Sequence, residues 1–209
     1  MELNEKQLQI LEVAEKLFAE NSFDGTSVRQ IAKEADVNVA MISYYFGSKE
    51  KLLETLLNYR NGDFRLEIIA IIENDSLSAL EKLDEIVAYV IRRIHKNRRT
   101  HKIVNIEYSN GCRNLNFKSH IEQKRISYKV IEDFIKEGQD NGVFAKNIQI
   151  PLITTTIMGT YFHFYYNKKF FQLLHDVPLD NYATLDDFVH TKLTQHIQQT
   201  IKALLTNEN

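Results

Sequence analysis

The chain predicts an all-α fold: a three-helix head built around a helix-turn-helix, followed by a larger helical domain. Three observations carry that expectation. The 209 residues include only 7 Gly and 2 Pro, a scarcity of turn formers that suits long helices better than a many-stranded sheet. Apolar residues recur at three- and four-residue spacing through most of the chain, and no strand-like alternation persists. Residues 26–46, TSVRQIAKEADVNVAMISYYF, read as two short helices joined by a tight polar turn.

The first helix is expected from Asn4 to Glu20, where Leu8, Leu11, Ala14 and Phe18, flanked by Ile10 and Leu17, form a wide apolar stripe. Asn21-Ser22 closes it and Phe23-Asp24-Gly25 makes the turn. Ser27 with Gln30 is a capping-box pair that satisfies orphan donors at the start of the second helix, and Val28, Ile31, Ala32 and Ala35 share one face of it. Asp36-Val37-Asn38 breaks that helix. Asn38 is a good N-cap for the third, whose inward face carries Ile42 and Phe46. Gly47-Ser48 starts a long fourth helix, expected to reach about Ile72, with Leu52, Leu53, Leu56 and Leu57 against the head and Gly62 as a point where it can bend.

The second domain opens on another capping box, Ser78 with Glu81, followed by Leu80, Leu83, Val87, Val90 and Ile94. The basic run His95-Lys96-Asn97-Arg98-Arg99 reads as a helix C-terminus whose dipole favours cations. A short helix is expected over Lys102–Ser109, and a longer one from about Asn116 to Glu137, closed by Gly138 and Gly142. Pro151 suits the first turn of a helix extending to Leu174. A last helix, Thr184 to Leu205, carries Leu185, Phe188, Val189, Leu193, Ile197, Ile201 and Leu204.

Composition narrows the function classes. A hydrophobic share of 44% is ample for a buried core. The single cysteine, Cys112, cannot make an internal disulfide, no Cys/His pair has zinc-finger spacing, and the reading is a reducing, cytoplasmic home. The start, MELNEKQLQI, lacks a signal-peptide pattern, and no run of 18 apolar residues suggests a membrane span. The seven histidines show neither an HExxH nor a Glu-x-x-His pairing, and no Gly-rich phosphate loop occurs, so the expectation is no enzyme, no metal and no cofactor. Net charge is −2, and residues 1–60 hold seven Lys/Arg against ten Asp/Glu. DNA binding by such a head must rest on a few placed cations and on helix N-termini, with a shallow salt dependence.

The run ILEVAEKLFAENSFDGTSVRQIAKEADVNVAMISYYFGSKEKLLETLL resembles the N-terminal domain of TetR-family transcriptional regulators. The features coincide in order: a first helix ending in Leu-Phe, an aromatic before the turn, Thr26-Ser27, Ile31-Ala32, Ala35, Val37, Tyr-Phe and Ser-Lys-Glu. The match spans about the first 57 residues; beyond residue 60 the likeness is only that both are helical. Two positions depart from the pattern. Asp36 stands where the family usually has Gly, and Asp tolerates the left-handed backbone such a turn needs. Ser43 stands where the family often has Tyr, which removes a phosphate-reaching phenol.

The resemblance implies a DNA-binding head over residues 1–47 and an effector-binding and dimerisation domain over 48–209, joined by the helix at 48–72. It implies a recognition helix from Asn38 and Val39 to Tyr45, with Val39, Ala40, Met41 and Tyr44 nearest the bases: a mostly apolar reading head suited to thymine methyls and groove shape. Thr26 and Ser27 at the start of the second helix, Arg29, Ser43, Tyr45 and Lys49 are the expected phosphate or groove-edge contacts. Ile42 and Phe46 belong to the core.

In the second domain, Tyr161, Phe162, His163, Phe164, Tyr165, Tyr166, Phe170 and Phe171 crowd all faces of one helix, as in a core or a subunit interface. Tyr89, Tyr128, Phe162, His163 and Tyr166 are candidates for an effector pocket. The resemblance further implies a homodimer formed by the last two long helices, and Tyr161, Tyr165, Phe188, Leu193, Ile197 and Ile201 are the candidate interface. The partners implied are double-stranded DNA with a palindromic operator, a second copy of the chain and an unidentified small-molecule effector, with no membrane. The expected function is a bacterial repressor released by its effector. The alternative is a DNA-bound scaffold that recruits a protein partner without a small ligand.

Overall fold

The structure is a computed structural model that describes residues 3–111, 118–179 and 181–206; Cys112 and Asn116 lie outside them. The fold class is the expected one: every regular element among the described residues is helical. The head begins with α1 (Glu5–Asn21), α2 (Val28–Glu34), α3 (Val39–Phe46) and α4 (Lys49–Asn61). Then come α5 (Phe64–Ile72), α6 (Ala79–Lys96), α7 (Arg98–Ser109) and α8 (Lys118–Asp140). The chain continues through α9 (Ile150–Tyr166), α10 (Lys168–His175) and α11 (Tyr182–Phe188), a π-helical turn at Val189–Leu193, and α12 (Thr194–Thr206). No described helix is long and apolar enough to cross a membrane.

Local chemistry sets the starts of these helices. Asn4 and Gln7 form a reciprocal capping box on α1, and Ser27 and Gln30 form the expected one on α2. Asn38 caps α3, its Oδ1 accepting the Ala40 N–H at 2.8 Å. Ser78 and Glu81 cap α6 through the Ser78 N–H to Glu81 Oε2 bond at 2.8 Å.

Three of the long helices expected from periodicity are interrupted. The 48–72 helix is two, α4 and α5, because Gly62 turns out of the helix with φ 35° and ψ −136°. The helix after Pro151 stops at Asn167, whose amide Nδ2 donates to the His163 carbonyl at 2.8 Å in competition with the helical ladder. The last helix widens into the π turn, where Thr194 Oγ1 donates to Val189 O at 2.7 Å. Gly62 marks the first of these breaks in the sequence; the other two carry no Gly or Pro.

The chain forms two compact units, one of Met1–Asp63 with Asn97–Arg125, the other of Phe64–Lys96 with Ile126–Asn209. Each has its own apolar core. The unit that holds α1–α3 also takes in α4 and α7. Leu52, Leu53, Leu56 and Leu57 of α4 are buried in its core, and so are Ile103 and Val104 of α7. The second unit packs α12 on α6 and α9 around Ile91, Ile157, Tyr161, Ile197 and Ile201.

Candidate nucleic-acid interface

The head presents α3 outward. Ile42 and Phe46, four residues apart, anchor it in the core. The opposite side carries Val39, 39% exposed, and Tyr44, 83% exposed, with Ala40 and Ser43 also at the surface and Met41 half-buried. Tyr45 is half-buried and packs edge-on to Phe46 at 6.3 Å, so its ring belongs partly to the core. The turn before α3 has Asp36 in the left-handed region, φ 48°, the conformation expected where the related sequences carry Gly. Gln9 Nε2 donates to the Ala35 carbonyl at 2.9 Å and fixes the end of α2 to α1.

Ser27 and Arg29 are exposed at the start of α2, Ser27 with its hydroxyl already engaged in the cap. Two residues expected to contact phosphate have their side chains engaged within the head. Thr26 is buried, and its hydroxyl donates to Ser22 O at 2.8 Å and Leu17 O at 3.2 Å, so the side chain ties the α1–α2 turn together instead of facing a phosphate. Lys49 Nζ donates to Phe23 O at 2.9 Å and Thr26 O at 3.0 Å and lies 4.2 Å over the Phe23 ring. Its charge is committed to holding that turn on α4.

The head's acids are removed from its surface in part by burial and pairing. Glu15 on α1 is buried, its Oε2 2.5 Å from Arg60 Nη2 on α4 and its Oε1 accepting the Thr100 hydroxyl of α7 at 2.5 Å. Glu34 pairs with Lys16 at 2.7 Å, and that hydrogen bond holds its carboxyl below the usual range. Glu107 of α7 is also buried. Burial, with Asp24 adding, raises its carboxyl pKa against the lowering effect of the Phe23 N–H hydrogen bond. These contacts join residues far apart in sequence, and no local pattern marks them.

In the second unit the residues expected at a pocket or an interface fall in several environments. Tyr161, Leu193, Ile197 and Ile201, expected at a dimer interface, are buried within the protomer core. Tyr165 stacks on Tyr161 at 5.8 Å, and Phe188 stacks on Phe164 at 5.2 Å, so both serve intramolecular packing. Conversely, His163 and Tyr166, expected in a pocket, are exposed on the outer face of α9. Phe162 is half-buried and stacks on Tyr166 at 5.6 Å. Tyr89 and Tyr128 are half-buried. An apolar stripe states that a face is covered, but not whether its own chain or a second copy covers it.

A polar cluster that the sequence reading missed sits inside this unit. His95, at the end of α6, shares a hydrogen bond from Nδ1 with Tyr161 Oη at 2.8 Å. Its Nε2 is 3.4 Å from Asp186 Oδ1, which is also 3.4 Å from His190 Nε2. The π turn sets His190 beside His95, ring centroids 5.7 Å apart. Among the described residues no group of three His, Cys, Asp or Glu is placed to hold a metal ion.

Comparison with known proteins agrees with this geometry. Residues 10–56 match the family "Bacterial regulatory proteins, tetR family", and residues 80–201 match "Tetracyclin repressor-like, C-terminal domain". The "Probable HTH-type transcriptional regulator YttP" of Bacillus subtilis is 42% identical over 99 residues, which are 46% of this chain and 47% of YttP. The match thus spans about half the length of that relative. The ketosteroid transcriptional regulator KstR2 of Mycobacterium tuberculosis has the same fold, with TM-score 0.73 and 19% identity over 99% of this chain and 98% of that one. So does FadR from Bacillus subtilis in complex with stearoyl-CoA, with TM-score 0.65 and 20% identity over 94% and 97%. With α3 turned outward on a trihelical core and both halves of the chain matched, the chain belongs to the TetR family of bacterial helix-turn-helix transcriptional regulators, which are not enzymes.

Proposed function

We propose that the chain is a homodimeric repressor that binds a palindromic operator in the bacterial cytoplasm and is released by an amphiphilic effector. The observation that carries the DNA reading is the exposed face of α3, with Tyr44 at its crest and a capped N-terminus at Asn38. The face offers methyl groups and one phenol and lacks an Arg or Asn fork, which favours thymine contacts and groove shape over bidentate guanine recognition. Arg29, Ser27, Ser43 and Tyr45 are the flanking backbone contacts in this reading. For the dimer, support comes from the outer face of α9 and α10, where Leu152, Tyr166, Phe170, Leu173 and Leu174 are all exposed. For the effector, it comes from an aromatic-rich apolar core and from the fold shared with a regulator that holds stearoyl-CoA.

Selection of binding sites from random DNA at stated salt tests the first part, and an inverted repeat is the expected product. Tyr44→Ala is expected to weaken operator binding by about 10- to 100-fold, roughly 1–3 kcal/mol, without lowering the melting temperature, because the ring makes few contacts in the free protein. Unchanged affinity in that variant would remove α3 from the reading. Stearoyl-CoA added to the protein–operator complex is expected to release the DNA; retention of the complex at saturating ligand would favour the scaffold alternative.

A further inference from the structure

The peptide of Phe23, in the turn between α1 and α2, is gripped at both ends by groups from two other helices of the head. Its N–H donates to the Glu107 carboxyl of α7. Its carbonyl accepts Lys49 Nζ of α4 at 2.9 Å, and the same ammonium reaches Thr26 O at 3.0 Å. The Phe23 ring packs on Phe18 of α1 at 5.3 Å and lies 4.2 Å beneath the Lys49 nitrogen. An acid thus meets the positive end of this peptide dipole and a cation its negative end, an arrangement that strengthens both hydrogen bonds.

Glu107 occupies a costly place. It is buried on the side of α7 that carries Ile103 and Val104 into the head core. Burial, with Asp24 adding, raises its pKa against the lowering effects of the Phe23 N–H bond and Lys49. An apolar side chain would avoid that cost, but it would leave the N–H of the buried Phe23 without this acceptor. Three residues on, the Thr26 hydroxyl is fastened to the Ser22 and Leu17 carbonyls, and Ser27 then caps α2. The place where Phe23 is held therefore sets where α2 begins, and with it the exposed Ser27 and Arg29.

We propose that Glu107 is a positioning residue for DNA binding: by accepting the Phe23 N–H it holds the α1–α2 turn in the place from which the start of α2 meets the operator backbone. This rests on the DNA reading above and adds to it a buried residue, far along the chain, that acts through the turn.

Fluorescence anisotropy of the full-length protein tests it, with the duplex that the wild type selects from random DNA, at a temperature where circular dichroism shows each variant folded. Glu107→Leu, which removes the acceptor, is expected to weaken binding at least about 10-fold, because only molecules with the turn in place remain competent. Glu107→Gln keeps an acceptor of the same reach and is expected to stay within about 3-fold of the wild type. Glu107→Asp, whose carboxylate is one methylene short, is expected to lose about 3- to 10-fold, and serves if Glu107→Leu does not fold. Hydrogen exchange read by mass spectrometry is expected to quicken over residues 22–27 in the weakened variant and to stay unchanged in the rest of the head. Wild-type affinity in Glu107→Leu, or in Glu107→Asp where the first does not fold, overturns the inference while the DNA reading stands. So does an equal loss in Glu107→Gln, or exchange that quickens throughout the head. Selection of no sequence by the wild type removes the DNA reading, and this inference with it.

Discussion

Ser22 holds a backbone conformation, φ 66° and ψ 169°, that glycine adopts freely and serine does not. It persists because the turn around it is fastened elsewhere: its carbonyl accepts the Thr26 hydroxyl, and Lys49 grips the Phe23 and Thr26 carbonyls. Ser22→Gly relieves the strain, though the more flexible unfolded chain and the lost Gly25 N–H to Ser22 Oγ bond at 3.3 Å offset part of the gain. A net stabilisation of about 1 kcal/mol is expected, read as a higher urea midpoint with an unchanged slope. His120 provides a second residue-scale test. It is buried beside Asn61, whose Nδ2 donates to its Nδ1 at 3.0 Å, and burial, helped by the Lys124 cation, lowers its pKa from 6.5 to about 4. The folded state therefore resists the proton that the unfolded chain accepts. This contribution to stability is complete above pH 6.5 and is lost as pH falls towards 4, by up to about 3 kcal/mol. Denaturation midpoints measured across that window are expected to fall in the wild type and to flatten in His120→Gln.

At the scale of elements, the network around Glu15 decides which helices belong to the head. It joins α1 to Arg60 of α4 and Thr100 of α7, and it explains why α7, far along the chain, packs with the first four helices. Glu15→Gln removes the carboxylate charge from the Arg60 pair. Arg60 keeps 22% of its side chain exposed and can hydrate, so the expected loss is about 2 kcal/mol, below the range for a wholly buried pair. A Glu15→Leu/Arg60→Leu double variant is expected to recover part of that stability, and a double-mutant cycle measures the coupling. None of this network was legible beforehand, because its partners are 45 and 85 residues apart in sequence. What was legible is local. The Ser27/Gln30 and Ser78/Glu81 caps, the Asn38 cap and the inward Ile42 and Phe46 follow from nearest-neighbour chemistry, and the left-handed Asp36 from the resemblance, which has Gly there. The commitment of Lys49 to the α1–α2 turn depends on where α4 returns, and so escaped a linear reading.

For the whole molecule, the proposed homodimer requires an apolar surface that a second copy can cover. The stripe Leu193, Ile197, Ile201 and Leu205 has the regular spacing of an interface, yet α6 and α9 already cover it within the protomer. Several apolar side chains left in water lie on α9 and α10, among them Phe170 at 66% and Leu173 at 86% exposure. The helix α10 buries none of its residues, although Phe170, Phe171, Leu173 and Leu174 make up half of it. Apolar groups concentrated on one outer face mark an association surface more often than scattered ones do. The two sets of residues therefore predict different failures. A Phe170→Glu/Leu173→Glu variant is expected to sediment as a folded monomer with an unchanged helical spectrum. It should lose at least about 100-fold in affinity for a palindrome while binding a single half-site as before, because only the linkage between two heads is removed. Ile197→Glu, by contrast, places a charge inside the core and is expected to unfold the second unit at any protein concentration. If the α10 variant stays dimeric, the two-fold axis lies elsewhere and the exposed face of α9 and α10 needs a different occupant.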